Sequence, residues 1–135
     1  MKSVWIGLSL LLFTFSCSNR NTPENVAEDF VYNYYLHADQ EAALLLSHSL
    51  AQEKLKAEIE RLQGVRGQNG SLEEQRPQIK YEKLGKKVED NNQIFFRYRL
   101  TIKNAGTSDA RRNAVILTEL IDGRWKIVNF DEYSE

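Results

Sequence analysis

The sequence predicts an α+β fold in which helices come first and an antiparallel meander of about four strands follows. Three observations carry this. Ala27, Phe30, Val31, Tyr34, Tyr35 and Ala38 recur at helical spacing and form one broad apolar stripe. Ile94, Phe96, Tyr98, Leu100 and Ile102 alternate with Phe95, Arg97, Arg99, Thr101 and Lys103, the period of a strand with one wet face. Asp122-Gly123, between two further apolar runs, suits a two-residue type I′ hairpin turn. The chain has 135 residues, 41% hydrophobic and 27% charged, which suits one core and one domain. A net charge of −1 supplies no basic footprint, so nucleic acid is not an expected partner.

The chain opens with Lys2, a continuous apolar stretch from Val4 to about Phe15, and the small Ser16. That is the build of a secretory signal. The stretch is too short for a spanning helix, which takes roughly 20 residues. Cys17, the only cysteine, follows directly, so the domain has no internal disulfide. Thr14-Phe15-Ser16-Cys17 resembles the processing site of bacterial lipoproteins at Ser16 and Cys17, and departs from the usual leucine at Thr14. The resemblance implies that residues 1–16 are a signal peptide and that Cys17 is acylated. Residues 17–21 would then tether the domain to a membrane, its first expected partner. Each buried CH₂ of an acyl chain adds about 0.8 kcal/mol, so more than one chain anchors almost permanently. Ser18, where aspartate would retain a lipoprotein at the inner membrane, resembles the outer-membrane sorting choice. The expected location is the bacterial cell envelope, lipid-anchored at the outer membrane.

The domain itself is expected over 22–135. Thr22-Pro23-Glu24 starts the first helix: threonine caps, proline suits the first position and glutamate meets the positive dipole end. Asp39 caps a short second helix through Ala42 to Leu46. Ser49 and Gln52 read as a capping box for a third, with its stripe at Leu55, Ile59 and Leu62 and its end at Gly64. Gly64 to Pro77 is a glycine-containing loop. Ile79 to Val88 forms a strand whose parity breaks between Tyr81 and Leu84, which predicts a β-bulge near Gly85. The Asp122-Gly123 register puts Ala114, Ile116, Thr118, Leu120, Trp125 and Ile127 on one face. It puts Val115, Leu117, Val128 and Phe130 on the other.

Thr22 to Phe30 resembles the first helix of the nuclear transport factor 2-like superfamily, the cystatin-like cone. So do the link Ala38 to Ala43 and the terminal Asp122-Gly123-Arg124-Trp125-Lys126-Ile127. Within it the chain looks most like small bacterial lipoproteins whose domain has no assigned function. The resemblance implies a curved sheet wrapped around the first helix, with a cone that is filled or hollow. Sheet-to-sheet dimers are common in that superfamily, and some of its members are enzymes.

No catalytic constellation emerges from the residues, and fold alone transfers no activity. The protein is therefore expected not to be an enzyme, with His48 and Asp131 the bases a catalytic alternative would use. His37 has only Glu41 at helical spacing and His48 has no ligand at i+3 or i+4, short of the three or four donors a zinc site takes, so neither a metal nor another cofactor is expected. Arg97, Arg99 and Lys103 form a basic stripe beside Phe95. The leading expectation is a membrane-tethered, non-catalytic domain that binds an envelope protein or itself. The interface would be Val115, Leu117, Val128 and Phe130, because a strand pair apolar on both faces is usually covered on both. The alternative is a small-ligand pocket in the cone, with Tyr34 and Tyr98 as walls and Thr118 and Asn129 as polar anchors.

Overall fold

The computed structural model describes residues 19–66 and 77–135. The expected signal peptide over 1–16, the expected acylation site Cys17 and the heart of the glycine loop lie outside the described residues. Helix α1 (Pro23–Val31) runs into a π-helical turn (Tyr32–Leu36), and α2 (Gln40–Leu45) and α3 (Ser49–Arg66) follow. Strands β1 (Gln78–Asp90), β2 (Gln93–Lys103), β3 (Ala110–Ile121) and β4 (Arg124–Ser134) form one curved antiparallel sheet in the order β1-β2-β3-β4. Among the described residues no helix is long and apolar enough to cross a membrane.

The helix starts follow local chemistry at two of three sites. Thr22 Oγ1 accepts from Asn25 N at 3.2 Å, and Asp39 Oδ1 accepts from Ala42 N at 3.0 Å. Each satisfies an amide that the helix leaves without a partner. At α3 the expected box is not made. Ser49 sits in the left-handed region at φ 53°, its hydroxyl meets the His48 ring at 2.9 Å, and Gln52 N bonds to His48 O instead. Nor does Gly64 stop α3, which continues to Arg66 because Gly64 does not take the positive φ of a helix-ending glycine.

Helix α1 buries Val26, Ala27, Phe30 and Val31 against the concave face of β2, β3 and β4. At its end the backbone widens: His37 N reaches Tyr32 O at 3.2 Å and Asp39 N reaches Asn33 O at 2.8 Å. The wide turn carries Tyr34 onto Phe30, ring centroids 5.4 Å apart, and buries Tyr35. Ala51 and Leu55 of α3 complete the helical side, while Ile59 and Leu62 are only half-buried. On the sheet Phe96, Tyr98, Leu100, Ala114, Ile116 and Ile127 face the helices, as the alternation of β2 requires.

Three irregularities set the register, one of them at the end of β1 between Val88 and Asp90. In β1 the pairing slips between Lys83 and Gly85, where the parity break predicts it. In β4 the Asp122-Gly123 turn has both residues at positive φ, 49° and 76°, and pairs Leu120 with Trp125 and Glu119 with Lys126 as expected. Beyond Thr118, which pairs with Ile127, Leu117 pairs with Asn129, so Val128 is an extra residue. That slip moves every later side chain to the other face. Phe130 therefore points into the core, 5.0 Å from the rings of both Phe30 and Tyr34, and not onto the outer face. Early β4 is covered at its free edge, where Ser47 bridges Ile127, His48 N bonds Ile127 O and Ile127 N bonds Leu46 O.

Candidate functional site

The four candidate pocket residues make different contacts. Tyr34 donates its hydroxyl to Glu58 Oε2 at 2.8 Å, and Gln40 Nε2 approaches Glu58 Oε1 at 3.4 Å. Burial and then the Glu58 bond push the Tyr34 hydroxyl well above its ordinary range, so it stays protonated. Thr118 is fully buried and donates Oγ1 to Ile94 O at 3.0 Å, so its hydroxyl ties β3 to β2. Asn129 belongs to a cluster around Lys54. Lys54 Nζ donates to Asn129 Oδ1 at 2.8 Å, Phe130 O at 2.8 Å and Asp131 Oδ1 at 2.7 Å, and lies 5.3 Å from the Phe130 ring centroid. Tyr98 is the exception. It is fully buried with its ring edge-on to Tyr81, and its hydroxyl has no hydrogen-bond partner among the described residues. Burial raises its pKa too.

The bases of the catalytic alternative are occupied with other contacts. Asp131 pairs with Lys54, and the His48 ring meets the Ser49 hydroxyl. Among the described residues no group of three His, Cys, Asp or Glu is placed to hold a metal ion.

The outer face of the sheet has more definite shape. Of the four interface candidates, Phe130 lies in the core and Val128 is buried within the chain, so neither offers contact area. Val115 and Leu117 remain half-buried on the outer face. Phe95, paired with Leu117, joins them, and Arg97, paired with Val115, stands exposed between them and Gly85. Gly85, Phe95, Arg97 and Val115 line a hollow of about 510 Å³ together with Lys86, Lys87 and Glu89. Lys87 pairs with Glu89 at 2.6 Å, and Lys86 reaches across to Glu24 at 2.7 Å. The basic stripe is mostly neutralised: Arg99 meets Glu135 and Glu82, and Lys103 meets Asp109. Arg97 alone of the stripe has no acidic partner among the described residues. Sequence reading placed Arg97 and Phe95 on the wet face, but not the hollow that Gly85 leaves beside them.

An open four-stranded meander curved around its first helix, with two further helices packed at one side, now has a solved counterpart. A crystal structure of an NTF-2-like protein of unknown function from Shewanella oneidensis is similar to it, with a TM-score of 0.54 over 81% of this chain and 93% of that one, at 15% identity. The fold is nuclear transport factor 2-like. No family model matches the chain, and no curated protein matches it. At that identity the similarity concerns architecture alone. In the nuclear transport factor 2-like frame, the concave side is held by Phe30, Tyr98, Phe96 and Ile116, and the exposed Arg97 hollow lies on the convex side.

Proposed function

We propose that this protein is an envelope lipoprotein, anchored at the outer membrane through acylated Cys17, whose domain binds a protein through the convex face of its sheet. The partner is a second copy or another envelope protein, and the role is non-catalytic. The observation that carries the reading is the convex hollow, where Phe95 and Val115, with Leu117 paired to Phe95, accompany an arginine that has no acidic partner among the described residues. Arginine beside aromatic and aliphatic surface is a composition enriched in protein interfaces.

Concentration-dependent sedimentation and crosslinking in intact cells test it. Association should weaken about tenfold or more in Leu117→Lys and Arg97→Glu, since central contacts dominate interface energy. If neither variant changes self-association or the crosslinked species, the convex face is not the binding surface. The anchor has a separate readout: Cys17→Ala should release the protein from the membrane fraction. A second reading, a ligand in the cone, is favoured by the buried hydroxyls of Tyr98 and Tyr35, which have no hydrogen-bond partner among the described residues.

A further inference from the structure

The end of the domain that carries Asn21 and the β3–β4 hairpin has a surface separate from the convex hollow. Asn21 is stapled to the β3–β4 hairpin: its Nδ2 donates to Gly123 O at 2.9 Å and its Oδ1 accepts from Trp125 N at 2.9 Å. From Asn21 back to Cys17 is four residues, so the chain can carry the proposed acylation site at most about 14 Å from Asn21. A membrane holding Cys17 therefore meets this end of the domain first.

The chemistry there fits a bilayer surface. Arg20, Arg124, Trp125 and Lys126 line a hollow of about 430 Å³ that also reaches Leu46. Lys126 Nζ donates to Leu45 O at 3.1 Å, which sets Leu45 at the rim. Leu45 is 77% exposed, more than any other large hydrophobic among the described residues. Acidic groups are present but mostly engaged. Asp29 pairs with Arg20 at 3.2 Å, and Glu119, opposite Lys126, accepts from Gln93 Nε2 at 2.8 Å. Asp122 lies in the turn itself. Arg124 has no acidic partner among the described residues.

We infer that this end rests on the bilayer, with Leu45 entering the interface and Arg124 and Lys126 meeting headgroup phosphates. The inference rests on the acyl anchor proposed above. An exposed apolar side chain beside cations and a tryptophan matches the layered chemistry of a membrane interface. The anchor supplies a high local concentration, so contacts too weak to bind a free domain suffice to orient a tethered one.

The test uses the full chain, expressed and acylated in bacteria and reconstituted in vesicles of phosphatidylethanolamine and phosphatidylglycerol. Acylation consumes the Cys17 thiol, so Leu45→Cys offers a single labelling site for an environment-sensitive fluorophore. Ser108→Cys, exposed in the turn between β2 and β3 at the far end of the sheet, is the control. Brominated lipids should quench the Leu45→Cys label about threefold or more over the control, as expected for a group in the interface. Adding Arg124→Glu and Lys126→Glu should remove most of that difference. Equal quenching at both sites, in protein that still floats with the vesicles, overturns the orientation and leaves the anchor standing. Protein that does not float with the vesicles overturns the anchor and the orientation together. A Leu45→Cys label that ignores brominated lipid and responds to added unlabelled protein assigns the patch to a second copy, and overturns the inference.

Discussion

Tyr34 and Tyr98 bring the same hydroxyl into different surroundings. The Tyr34 hydroxyl donates to the Glu58 carboxylate at 2.8 Å, and the Tyr98 hydroxyl, fully buried, meets no acceptor among the described residues. A hydrogen bond to a charged group contributes about 1.5–3 kcal/mol net, whereas a buried unpaired hydroxyl is itself a penalty of about 1–3 kcal/mol. Tyr34→Phe should therefore lower stability by about 1–2 kcal/mol, and Tyr98→Phe should leave it unchanged or raise it by up to about 1 kcal/mol. Urea unfolding of both variants measures this. A loss in Tyr98→Phe comparable to that in Tyr34→Phe would show that the Tyr98 hydroxyl has a partner in solution, and would favour the ligand reading.

At the scale of elements, one extra residue in β4 decides which apolar side chains are core. Phe130 is in contact with Phe30, Tyr34 and the Lys54 ammonium, while Leu117, half-buried on the convex face, pairs with Asn129 across the strand. Truncating the first opens a cavity among packed rings, and truncating the second removes surface that is already partly wet. Phe130→Ala should cost about 3–5 kcal/mol and Leu117→Ala less than about 1 kcal/mol. Chemical denaturation of the pair checks the bulge directly. Equal losses would mean that Leu117 and Phe130 share a face, as the unbroken register predicts.

At the scale of the whole molecule, burial favours the protonated form of four tyrosines, Tyr81 among them and Tyr34, Tyr35 and Tyr98 most strongly. Burial raises the pKa of Tyr34, Tyr35 and Tyr98 above the ordinary value, helped by Glu58 at Tyr34 and by Glu132 at Tyr35. A folded pKa above the unfolded one contributes stability that is fully present below the unfolded pKa. It is lost as pH rises toward the folded value. These residues should leave stability unaffected below about pH 10 and make it fall steeply above, as unfolding releases phenols that ionise in water. Thermal melts across that range, with phenolate absorbance followed in parallel, test the sign. Melting temperatures that hold steady while all six tyrosines ionise would contradict it.

What the sequence determined by itself was everything set by short-range chemistry. The caps at Thr22 and Asp39, the alternation of β2, the bulge beside Gly85 and the Asp122-Gly123 turn each follow from a few neighbouring residues. Backbone hydrogen bonding and side-chain period leave them little choice. The order of helices before a meander, and with it the α+β class, follows from the same patterns. Tertiary packing alone decided the rest. Val128-Asn129-Phe130 reads as a plain continuation of β4 until Phe30 and Tyr34 are in place to receive a ring, and the sheet slips by one residue to supply it. Ser49 forgoes its capping box because the α2–α3 link is bound to the edge of β4 through Ile127. The convex hollow, too, exists only once Gly85 of β1 is set beside Arg97 and Val115 of its neighbours. Each of these pairs residues far apart in the chain, and no local pattern encodes which distant side chain will be waiting.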